Sequence, residues 1–137
     1  MPSASETAPT SKKMLWAGRI LSALVAALLL LSGVMKLVKP APVVTGFAHF
    51  GYPESLIAII GILEIVCTII YLIPRTSVLG AILVTGYLGG ATATHVRIGD
   101  PAFYAPVVLG VVAWAGLFLR EERLRALIPL RNPKTDS

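Results

Sequence analysis

One cysteine, two histidines and seven acidic residues are all that this 137-residue chain offers to metal or redox chemistry. With Cys67 alone it has no internal disulfide, no CxxC redox pair and no thiolate zinc cluster. Inside an apolar run, a lone cysteine reads as a small hydrophobe. His49 in a loop and His95 in a helix are a thin basis for the paired axial ligands of a haem. No HExxH motif or clustered histidine and carboxylate spacing supports a metal hydrolase, so no metal ligands are assigned. Charged residues make up 14% of the chain against 55% hydrophobic, far from the composition of a soluble domain. The net charge of +5 is no nucleic-acid footprint, because the basic residues flank apolar runs and form no stripe interleaved with aromatics. What survives these exclusions is an integral membrane protein with no room for a separate soluble catalytic domain.

Four apolar stretches fill most of the length, at about 15–38, 56–73, 78–96 and 102–119. Each approaches the roughly 20 residues that a helix needs to cross about 30 Å of hydrocarbon. Residues 1–13 are rich in Ser, Thr, Ala and Pro and read as a disordered tail, 14–126 as the transmembrane domain, and 127–137 as a polar tail. The first apolar run is too long for a signal-peptide core and reads as a retained helix. Between the first two spans, Lys39 to Glu54 is broken by prolines and glycines, while Phe47, Phe50 and Tyr52 hold it at the interface; a short interfacial helix over 42–50 is expected. His49 within it reads as a solvated interfacial side chain. Pro74-Arg75-Thr76-Ser77 is a tight turn that makes the third span run antiparallel to the second, and Asp100-Pro101 supplies a cap and first position for the fourth. The expected fold is all-α, a four-helix antiparallel transmembrane bundle with a short interfacial helix between spans one and two.

The second span carries one carboxylate, Glu64, at its centre. An ionisable group at that depth must be neutral, paired or wetted, and it marks a functional site by default. Gly61, Glu64, Thr68 and Tyr71 recur at steps of three or four and form one inward stripe. On the first span Lys36, Leu29, Ser32 and Ser22 share a mildly polar face near Gly33. The third span is stripped of bulk by Gly80, Gly86, Gly89 and Gly90; Gly86 and Gly90 form a GxxxG pair that predicts close helix packing, within the chain or between two copies. Tyr87 and Thr94 share a face of that span, with His95 at its edge. Lys36, Glu64, Tyr87, Thr94 and His95 are therefore the candidate ligand-binding residues, with Glu64 also the candidate acid/base and Lys36 or protonated His95 its cation partner.

Four spans put both termini on one side. That side holds nine of the twelve lysines and arginines, against Lys36, Lys39 and Arg97 on the other, and the REERLR segment at 120–125 reads as leaving the bilayer there. The positive-inside rule then places both termini in the cytoplasm of a multi-pass inner (plasma) membrane protein.

The chain resembles the DoxX-like family of small four-helix membrane proteins. The resemblance is carried by Ser32-Gly33-Val34-Met35-Lys36-Leu37 closing the first span, Phe47-Ala48-His49-Phe50-Gly51-Tyr52-Pro53 in the loop, Gly61-Ile62-Leu63-Glu64 in the second span and Gly89-Gly90-Ala91-Thr92-Ala93-Thr94-His95 in the third. It implies a membrane bundle related to a small subunit of thiosulfate:quinone oxidoreductase and to membrane partners of redox enzymes, and it matches at Lys36, Glu64 and His95. The functional expectation is an accessory or anchor component of a quinone-linked redox system, with a polar intramembrane pocket for a small amphiphile such as a quinone. The alternatives are a small membrane enzyme doing acid/base chemistry on a lipid-like substrate and a structural anchor for a partner protein. The expected partners are the lipid bilayer and either a redox enzyme or further copies of the chain, with no nucleic acid.

Overall fold

The computed structural model describes residues 10–131. Most of the expected N-terminal tail and the last residues of the C-terminal one lie outside them. The described chain is helical, with α1 at Lys12–Val38, α2 at Ala41–Phe50, α3 at Ser55–Leu72, α4 at Ser77–Arg97, α5 at Tyr104–Arg120 and a short α6 at Glu122–Arg125. The helices α1, α3, α4 and α5 are long and apolar enough to cross a membrane, so the four expected spans are present. The expected interfacial helix is α2.

The helix ends follow local chemistry. Ser11 caps α1 three residues ahead of the hydropathic run, its hydroxyl accepting the Met14 N–H at 3.2 Å, and the guanidinium of Arg19 lies over the Trp16 ring. Lys39 takes a left-handed conformation (φ 55°) that returns its N–H to the Met35 carbonyl, and Pro40 then starts α2. Gly51 ends α2 at φ 84°, a region that favours glycine. Asp100 accepts the Ala102 N–H at 2.8 Å, capping a 3₁₀ turn over Pro101–Phe103 that leads into α5. The cap falls where the Asp-Pro pair predicts, with the turn interposed before the helix proper.

The spans form a ring in which α1 packs on α3 and α5, and α4 packs on the same two, with no comparable contact across the diagonals. Close approach is made by glycines facing glycines or bare backbone. A Cβ on Gly18 would stand 2.7 Å from the Gly116 carbonyl, and one on Gly61 would stand 2.9 Å from the Gly33 carbonyl. Gly80 lies against the backbone of Ile70 and Tyr71, which clamps the α3–α4 hairpin at its turn. The expected Gly86–Gly90 packing does not occur within the chain: a Cβ at either position, or at Gly89, would meet nothing within 4 Å. Spacing alone marks a smooth patch on a helix; whether a neighbour comes to it depends on how the helices cross.

At the end of the bundle near the termini, all four spans meet in a polar knot. The Tyr71 hydroxyl contacts the Ala113 carbonyl at 2.7 Å and the Ser22 hydroxyl at 3.0 Å. Arg120 donates from Nε to Ser22 at 3.0 Å and from Nη1 to Ser77 at 3.4 Å, with its guanidinium over the Tyr71 ring. Arg120 therefore does not leave the bundle as its place at a span end suggests. Glu121 breaks the helix, and α6 folds back with Leu124 buried in the core and Arg125 donating to Thr10 at 2.5 Å.

The clash at Gly80 and the open space at Gly86 predict opposite outcomes for the same substitution. Gly80→Ala should lower stability by about 1–3 kcal/mol, the usual cost of forcing a methyl into a packed contact. Gly86→Ala should leave stability nearly unchanged. Thermal unfolding of the two variants in detergent compares them directly.

Candidate functional site

Glu64 lies halfway along α3 with 2% of its surface exposed. Its stripe is inward as expected, since Gly61, Thr68 and Tyr71 are buried with it. The cation it meets is Lys36, whose Nζ donates to Glu64 Oε2 at 2.7 Å. Ser32, one turn before Lys36 on α1, completes the group: its hydroxyl donates to the same Oε2 at 3.2 Å and accepts from Lys36 Nζ at 2.5 Å. Lys36 Nζ also lies 3.4 Å from the Ser32 carbonyl, so the three donors of the ammonium are all engaged within the protein.

Gly61 makes this geometry possible. A Cβ there would stand 2.7 Å from the Lys36 Cβ, so the lysine stem lies across the bare glycine, one turn of α3 away from the carboxylate it reaches. Lys36 has 12% of its side chain exposed and Glu64 3%, so the pair is buried with little water to screen it.

The pair lines a cavity of about 690 Å³ in the half of the bundle away from the termini, within the size range of small-molecule sites. Tyr87, Thr94 and His95 line the same cavity, so all five candidate residues come together around one space. They do not all meet Glu64. His95 turns away from the pair: its Nδ1 bonds the Ala91 carbonyl at 2.8 Å, and its Nε2 lies 4.0 Å from Asp100 Oδ2. Because a carbonyl only accepts, Nδ1 carries a proton, and in the neutral ring Nε2 is an acceptor. Thr94 bonds the Gly90 carbonyl and the Tyr52 hydroxyl, each at 2.9 Å.

The roof of the cavity comes from aromatics that the sequence did not mark as ligand-binding candidates. Phe47, Phe50 and Tyr52 line it, and three contacts hold them down. Tyr52 meets Thr94, the Phe50 ring lies 4.8 Å from the His95 ring, and an Arg97 guanidinium nitrogen bonds the Phe50 carbonyl. Cys67 also faces the cavity as a buried free thiol. Among the described residues no group of three or more His, Cys, Asp or Glu side chains is arranged to hold a metal ion.

A ring of four membrane-spanning helices around a buried lysine–glutamate pair and a largely apolar cavity defines a small polytopic membrane protein. The model of the DoxX-like family matches residues 20–116, and the chain belongs to that family. No curated protein and no solved structure matches the chain.

Removing one partner of a buried pair strands a charge in a low-dielectric interior, typically at about 3–5 kcal/mol, whereas replacing both with apolar groups of similar size is often neutral. Glu64→Leu and Lys36→Met should therefore each destabilise the protein strongly, and the double variant should recover most of the loss. Chemical unfolding of the four proteins in detergent measures the coupling.

Proposed function

We propose that this protein holds a small amphiphile with a hydroxyl-bearing head, of the quinol kind, in its intramembrane cavity as an accessory component of a membrane redox system. The observation that carries this reading is the set of hydrogen-bonding positions the pair leaves open. Lys36 has no donor to spare, and both hydrogen bonds from Ser32 and Lys36 to the Glu64 side chain fall on Oε2. Glu64 Oε1 takes neither of these bonds and can accept, and the Tyr87 hydroxyl, which bonds the Glu64 side chain, keeps a lone pair for a ligand on the same cavity wall. A head presenting O–H donors suits that wall better than one presenting only carbonyl oxygens. Glu64, held close to Lys36, is placed to accept a hydrogen bond from such a head.

Membership of the DoxX-like family supports a membrane setting for this role. The distribution of basic residues supports an inner-membrane orientation with cytoplasmic termini; in that orientation the cavity, its aromatic roof and α2 would face outward.

Detergent-extracted protein examined by native mass spectrometry should carry a bound quinol, quinone or related lipid. In titrations, a benzoquinol should bind about tenfold more tightly than the matching benzoquinone, the value of one hydrogen bond to a charged acceptor. Glu64→Gln should narrow that gap. Equal affinity for the two ring forms in the parent protein would count against a donor-reading wall. Absence of any bound small molecule, together with a Glu64→Gln variant defective only in stability, would leave the pair a helix-joining device in an anchor protein.

A further inference from the structure

Resting on the cavity reading above, we propose that the ligand is a long-tailed lipid that enters sideways from the bilayer between α3 and α4, its tail lying along the bare glycine face of α4. The two helices are clamped at their turn, where Gly80 lies against the backbone of Ile70 and Tyr71. Farther along, Gly86, Gly89 and Gly90 are exposed and have open space where a Cβ would be. Beyond that pinned base no neighbouring side chain covers the glycine face, and Gly86 and Gly90 line the cavity.

The edges of the cavity there are open to the membrane. Leu63 on α3 and Ile82 on α4 both line the cavity, yet they are 52% and 56% exposed, so they form a rim and not an enclosing wall. The other direction is covered: Phe47, Phe50 and Tyr52 lie over the end of the cavity away from the termini, held to α4 by Thr94, His95 and Arg97. A water-soluble ligand would have to pass that aromatic roof. A lipid reaches the cavity from the layer it already occupies, with its head moving inward to Glu64 and its tail still in the hydrocarbon.

The glycines matter because they supply the width. Two side chains at Gly86 and Gly90 would stand where the tail leaves the cavity, without touching the pair that receives the head. The test uses a benzoquinol bearing a ten-carbon tail and the same ring without the tail, titrated into parent protein and into a Gly86→Leu/Gly90→Leu variant, with Gly86→Ala as a milder second variant. Thermal unfolding and native mass spectrometry report folding and copy number. The expected result is a loss of at least tenfold in affinity for the tailed ring in the double variant, a smaller loss in Gly86→Ala, and little change for the tailless ring in either. Unchanged binding of the tailed ring overturns the lateral route, as does an equal loss of both rings. A double variant that changes from dimer to monomer with binding intact also overturns it, by assigning the glycine face to a second copy. Failure of the parent protein to bind either ring removes the cavity reading itself and this proposal with it.

Discussion

An ion pair in hydrocarbon has to be satisfied by the protein, because neither water nor lipid tails will do it. The rest of this bundle follows from the way Lys36 and Glu64 meet that requirement. The lysine must reach from α1 to α3, so the two helices must come within backbone distance, and Gly33 and Gly61 allow this. Its ammonium must have all three donors filled, and Ser32 takes what Glu64 does not. The glycines, the serine and the pair form one unit, and the cavity is the space left when that unit draws α1 and α3 together on one side.

The two polar groupings of the bundle have different characters. The knot of Ser22, Tyr71, Ser77 and Arg120 joins all four spans and fills the space between them, and its tyrosine and both serines are buried. The grouping around Glu64 also fastens α1 to α3, but it borders the cavity instead of filling the space between the helices. One end of the molecule is thereby closed by its polar side chains, and the other is held open beside them.

Hydropathy over bilayer-length runs was enough to place the four spans within a few residues, because the membrane leaves few other ways to arrange such sequences. Glu64 was legible for the same reason, as the single carboxylate in a long apolar run, and the buried stripe of Gly61, Thr68 and Tyr71 followed from helical spacing. The choice of Lys36 over His95 as its cation was not legible, since it depends on where α1 crosses α3 and on a local bond that turns the His95 ring toward Ala91. Gly86 and Gly90 suggested packing because a spacing pattern says nothing about whether a neighbour arrives. Arg120 looked like an exit from the membrane, because a charge at the end of a span says nothing about the serines and tyrosine waiting on other helices.

The spans are unequal in length. At about 1.5 Å per residue the 27 residues of α1 extend roughly 40 Å and the 18 of α3 roughly 27 Å. A bilayer with a hydrocarbon thickness of about 30 Å is overreached by the first and slightly underfilled by the second. The charged residues of α1 lie toward its two ends, Lys12, Lys13 and Arg19 at one and Lys36 at the other, so its excess length is polar at both ends. The 17 residues of α5 reach no farther than α3, so the long α1 stands between the two shortest spans, and a thin bilayer would suit its neighbours better than it suits α1.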